Sequence, residues 1–174
     1  DLERTNIEHG QAWANQYAKN DDAARVCNDY PNAGAYVIDL RLHSHEQIHW
    51  MEAALNSARQ LKNRRYEGAH LGNLGNAYYL LGKTRKAIEF YEQVLIIDRE
   101  IGDRRGEGVD LGNLGNAYAA LGETRKAIEF YTQKLKIAHE IEDRRGEGAV
   151  LGNLGAAYYT LGKTRKAIEF YEQR

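Results

Sequence analysis

Apolar positions in the middle of the chain recur with the beat of amphipathic helices. Leu71, Leu74, Tyr78 and Leu81 follow one another at spacings of three, four and three, which places them on one helical face. A second stripe consists of Ala87, Tyr91, Val94 or Leu95, and Ile101. Gly82 between the stripes predicts a left-handed end to the first helix, and Thr84 predicts the N-cap of the second. Asp103 is expected to cap the helix that starts at Arg104. The same strings then return. LGNLGNAY begins at Leu71 and Leu111 and LGNLGAAY at Leu151, while TRKAIEFY begins at Thr84, Thr124 and Thr164, a drift-free period of 40 residues. RRYEG at Arg64 and RRGEG at Arg104 and Arg144 separate the copies.

The chain therefore divides into a diverged lead-in over 1–63, repeats at 64–103 and 104–143, and a truncated repeat at 144–174. Gly72 and Gly75 lie inside a helix, where Gly is worse than Ala by about 1 kcal/mol. Such glycines imply that another helix comes close, so Gly115→Leu is expected to overpack and destabilise. Tightly paired antiparallel helices at a fixed period make an all-α solenoid. Shifting Thr84–Asp103 back by one period lands on Ser44–Asn63, so His45–Leu61 reads as a diverged second helix. Its expected partner is Ala33–Leu42, opened by a turn at Tyr30-Pro31-Asn32. Further upstream, Gly10-x-x-Trp13 with Leu2, Ile7 and Tyr17 reads as one helix and Asp21–Asn28 as a shorter one.

Composition supports this reading. One Pro in 174 residues points to helices, and 43 % hydrophobic with 28 % charged residues belongs to a folded chain. Lys plus Arg number 24 against 25 Asp plus Glu, a net charge of −1, which argues against a general nucleic-acid or membrane-surface binder. No apolar run nears the about 18 residues that span a bilayer. The lone Cys27 excludes an intrachain disulfide and fits a reducing, cytoplasmic setting. The chain opens at Asp1 rather than Met and stops inside a periodic segment, so it is expected to be part of a longer protein.

Leu71-x-x-Leu74-Gly75-x-x-Tyr78 followed by Ala87-x-x-x-Tyr91 resembles the tetratricopeptide repeat (TPR) signature, and two further copies match it. The period of 40 exceeds the family's usual about 34 residues, and Arg99 stands where the terminal Pro is expected. That implies a second helix about two turns longer. The LGN and DRxxEG strings are similar to cell-polarity adaptors that bind G-protein α subunits and to the sensor arrays of bacterial NB-ARC-type (STAND) signal-transduction ATPases. The segment from Ala35 to Gly68 is similar to the lead-in of those ATPase arrays. The resemblance implies a right-handed TPR superhelix that binds a protein or peptide, without catalysis or cofactor. Its expected role is the sensor region of a larger signalling protein, with a free-standing adaptor as the alternative.

Two motifs mimic chemistry. His45-Glu46-Gln47-Ile48-His49 spells H-E-x-x-H, which on a helix places two zinc ligands beside a general base, with His43 or Glu67 as a third ligand. The periodic alignment already explains that helix, so a zinc peptidase is the remote alternative and no metal is expected. Gly82-Lys83-Thr84 resembles the end of a P-loop, but Ala77 occupies the place of its first Gly.

In a TPR stack the first helices line the inner wall. The resemblance thus implies a ligand groove of Asn73, Asn76, Asn113, Asn116 and Asn153, with Tyr79 and Tyr159 further along and Arg65, Arg105 and Arg145 near the helix starts. Asn pairs with an extended backbone and Arg with a carboxylate, so an acidic protein or peptide is the expected ligand. The final repeat has no following unit, and its apolar face around Leu154, Tyr158, Ile168 and Tyr171 is expected to promote self-association.

Overall fold

The computed structural model describes residues 44–174 and five helical positions between residues 9 and 16. The turn at Tyr30, the helices expected over 21–28 and 33–42, and Cys27 lie outside the described residues. Seven helices run through 44–174: α1 (Ser44–Gln60), α2 (Arg64–Leu80), α3 (Thr84–Ile101), α4 (Arg104–Ala120), α5 (Thr124–Glu140), α6 (Arg144–Thr160) and α7 (Thr164–Glu172). No strand occurs among the described residues. The chain forms two compact bodies, 1–77 and 78–174.

Each helix plus its turn occupies 20 residues, so one period of 40 holds two nearly equal helices. The turn has one design throughout. The left-handed position falls at Lys62, Gly82, Gly102, Gly122, Glu142 and Gly162, one every 20 residues. The amide just after it then donates to a carbonyl five residues back, as Lys83 does to Tyr78 and Asp143 to Ala138, both at 2.9 Å. Asp103 and Asp143 cap α4 and α6, their Oδ1 atoms accepting from the amides of Gly106 and Gly146 at 2.8 and 2.9 Å. Thr84 does not cap. The carbonyl of Lys83 accepts the first helical bond, so Lys83 is the N-cap without a side-chain bond and Thr84 is the first helical residue.

In the body 78–174, α3 packs on α4, α4 on α5, α5 on α6 and α6 on α7. Ala127, Tyr131, Val150, Leu154 and Ala157 form a core cluster, flanked by Tyr118, Ile128, Leu135, Tyr158 and Phe170. Burying each large side chain of this set contributes about 1.5–3 kcal/mol. The glycine expectation holds at Gly115, where a Cβ would fall well inside contact distance of the Tyr131 ring. Gly155 has the same relation to Tyr171.

The stripes need three adjustments. Leu81 and Ile101 are exposed because Leu81 lies in the turn after α2 and Ile101 is the last residue of α3, and Ile97 takes the buried place of the latter. Tyr118 and Tyr158 are half-buried rather than core. Each stacks on a Phe of the next helix, Phe130 or Phe170, at 5.3 Å, with Lys126 or Lys166 over its outer face. Leu154 is buried, so the open part of the last repeat is Ile168 and Tyr171.

The turn design yields a direct test. A non-glycine residue in the left-handed region is strained by roughly 1–2 kcal/mol. Glu142→Gly should therefore stabilise the chain by about 1 kcal/mol in urea unfolding, while Gly102→Ala at the equivalent turn should destabilise it by a similar amount.

Candidate functional site

The residues that could meet a ligand are built outward from the α4–α5 pair. Tyr131 reaches across Gly115 from α5, and its hydroxyl donates to Oδ1 of Asn116 on α4 at 2.8 Å. Burial pushes the Tyr131 hydroxyl up to about 12, so it remains a donor at any physiological pH. The same Asn116 oxygen lies 3.4 Å from Nδ2 of Asn153 on α6. Asn116 thus joins three successive helices and stays exposed on its outer side.

Near the start of α4 the surface dips into a crevice of about 130 Å³. Val109, Ile137, Ala138 and Ile141 supply apolar walls, and Arg105 and Lys134 supply two positive charges. Lys134 is half-buried because its chain lies against Gly112. Burial pulls its ammonium down from the ordinary lysine range, only partly offset by the Asp143 carboxylate. That carboxylate already accepts from the Gly146 amide. The crevice therefore holds two cations and one anion committed to a helix cap, beside an apolar floor.

A second pattern frames this surface. Glu107 on α4 is buried and accepts from Arg99 on α3 at 2.8 Å and, through its other oxygen, from Arg104, which also bonds Glu140 on α5. In the first body Glu67 does the same with Arg59 and Arg64, at 2.9 and 2.7 Å. Burial pushes the Glu67 carboxyl up, but the hydrogen bonds and charges of Arg59 and Arg64 outweigh it and hold the group below the ordinary glutamate range. Glu147 repeats the pattern with His139 and Arg144. The Arg and Glu of each RRxEG string are thus a clamp between the end of one repeat and the start of the next.

Of the expected groove residues, Asn116 and Asn153 are brought together, and Asn113 is half-buried on the same helix as Arg105. Arg105 and Arg145 are exposed, and Tyr159 is 66 % exposed. Arg65, Asn73 and Asn76 are exposed on the part of α2 in the first body, and Tyr79 is half-buried in the second. Lys134 was not among the expected residues. Its signal is a departure from the repeat, since Val94 holds the same position one period earlier. Of the zinc candidates, His49 is exposed on α1 and both Glu67 oxygens are taken by arginines. No group of His, Cys, Asp and Glu able to hold a metal occurs among the described residues. None of the described helices is long and apolar enough to cross a membrane.

The chain belongs to the tetratricopeptide repeat family, which it matches over 46–100, 70–140 and 108–174. Comparison with curated protein sequences found no match. Among solved structures, it is similar to aspartyl phosphate phosphatase F of Bacillus subtilis, with a TM-score of 0.74 and 16 % identity over 91 % of this chain and 41 % of that one. A signal transduction ATPase with numerous domains from Pyrococcus horikoshii, which carries a tetratricopeptide repeat sensor, gives 0.72 and 18 % over 94 % and 29 %. BtubC from P. vanneervenii gives 0.67 and 20 % over 98 % and 72 %. At these identities the likeness is one of fold. The family is one of protein-interaction scaffolds.

Asn116 has a structural share that a purely solvated groove residue lacks. Asn116→Ala leaves the buried Tyr131 hydroxyl without its acceptor and should destabilise the chain by about 1 kcal/mol in chemical denaturation. Ala119→Ser, on the exposed side of the same helix, should change stability by less than about 0.5 kcal/mol.

Proposed function

We propose that this chain is the protein- or peptide-binding sensor region of a larger signal-transduction protein, with no catalytic step of its own. The observation that carries the ligand class is the crevice at the start of α4, where Arg105 and a half-buried Lys134 adjoin Val109, Ile137 and Ile141. A ligand segment with a carboxylate beside an apolar side chain complements both parts. Its backbone would continue along Asn113, Asn116 and Asn153, whose amides supply donors and acceptors. Tyr159 and Arg145, both exposed on α6, offer a ring and a further positive charge to the same ligand. Asn73, Asn76, Arg65 and Tyr79 repeat the chemistry one period earlier. The likeness to an ATPase sensor supports the signalling context.

The test uses a fluorescently labelled synthetic peptide of alternating Leu and Glu and the same peptide with Gln for Glu, read by polarisation. The acidic peptide should bind more tightly, and its binding should weaken with added salt. Arg105→Glu with Lys134→Val, the latter copying Val94, should weaken it by about tenfold or more while leaving the fold intact. Arg125→Glu, at an exposed position beyond the crevice, should leave it unchanged. Equal binding of the two peptides, or loss on Arg125→Glu alone, would contradict the assignment.

A further inference from the structure

Asp98 on α3 and Asp110 on α4 are both buried, at 9 % and 4 % exposure, and their carboxyl groups lie within hydrogen-bonding reach of each other. Two carboxylates so placed repel each other, and a proton on one of them turns that repulsion into a hydrogen bond. The arginines nearby, Arg99 and Arg104, are held by the two oxygens of Glu107. The titratable groups that act on the pair are Tyr91 from α3, Asp103 from the turn and Glu107 from α4, none of them positive. The second oxygen of Asp110, Oδ2, is sealed away with no hydrogen-bond partner. One Asp98 oxygen lies against the backbone of Gly106, where any side chain would collide with it.

The repeat supplies an internal control. One period later the same two positions are Ala138 and Val150, both buried, and one period earlier they are Ala58 and His70, also buried, so a carboxyl occurs there in one copy alone. The helix pairing therefore does not require carboxyls at this place. Their presence replaces an apolar contact between consecutive repeats by one that holds only while a proton is retained.

We infer that Asp98 and Asp110 form a proton-operated joint between α3 and α4, closed while the pair shares one proton and loosened when that proton is released to solvent. Burial, then the charge and hydrogen bond of Asp98, and then Asp103 and Glu107 push the Asp110 carboxyl up to about 8. The sign follows from linkage. A carboxyl whose pKa is higher in the folded chain keeps a proton there that the unfolded chain gives up. Its stabilisation is complete below the ordinary aspartate range and fades as pH rises toward the folded value. Near neutral pH the joint is thus poised, and alkalinisation favours the open arrangement.

The experiment is chemical unfolding of the whole chain at several pH values from 5 to 8, beside Asp98→Ala/Asp110→Val, which copies the following repeat. One retained proton makes the unfolding equilibrium constant of the parent rise by up to about tenfold per pH unit in this window. The double variant should show a clearly flatter dependence. Amide exchange, corrected for its intrinsic pH dependence, should accelerate in 98–112 with rising pH and stay constant in 138–152. Should the double variant fail to fold, infrared spectroscopy of the parent keeps the question open to refutation. A protonated carboxylic acid band at pH 7 that disappears in Asp110→Asn supports the joint. Parallel pH profiles for parent and variant, or no acid band at pH 7, would overturn it.

Discussion

The spacing of α4 and α5 is set by side chains that α4 lacks. Gly108, Gly112 and Gly115 run along α4 and face Ile137, Lys134 and Tyr131 of α5 in turn. Tyr131 and Lys134 occupy the volume that a Cβ at Gly115 or Gly112 would need, and Ile137 leaves only a tight fit at Gly108. The three glycines weaken α4 as an isolated helix by about 1 kcal/mol each, and tertiary burial has to offset this. What the exchange provides is reach. Tyr131 crosses the helix pair and places its hydroxyl on Asn116, and Lys134 crosses it to enter the crevice beside Arg105. Both features of the candidate site rest on the same missing atoms.

The clamps at Glu67, Glu107 and Glu147 work between repeats as the glycines work within them. Each fixes the first turn of a new helix against the last turn of the preceding one. The arginine of the first two copies is replaced by His139 in the third. A frame kept constant by Gly, Tyr and Glu leaves other positions free to differ, which is how one architecture presents distinct local chemistry along its length. Lys134 against Val94, and Asp98 with Asp110 against Ala138 with Val150, are such differences.

This division also governs what could be read from the residues alone. The helices of the repeats, their period, the left-handed ends at Gly82, Gly122 and Gly162, the Asp103 cap and the close approach at Gly115 were legible because three copies carry the same signal. Thr84 misled because capping propensity identifies good cap residues, whereas the turn geometry puts Lys83 where the first helical bond is accepted. Tyr118 shows the limit of periodicity, which gives the face of a helix but not how much of a ring its neighbours cover. Single-copy features were hidden for the opposite reason. Lys134 and the Asp98–Asp110 pair look like ordinary helix-surface residues until the fold turns them inward.

The claim that a missing side chain sets the helix spacing is tested most directly by a double-mutant cycle between Gly115 and Tyr131. In the parent chain Gly115→Ala drives a methyl group into the Tyr131 ring and should destabilise by about 1–3 kcal/mol, despite the better helix propensity of Ala. In a Tyr131→Ala background the obstruction is gone, and the same substitution should become neutral or stabilising by up to about 1 kcal/mol. An equal loss of stability from Gly115→Ala in both backgrounds would show that the ring does not set the spacing, and the account of both helix pairing and site would fail.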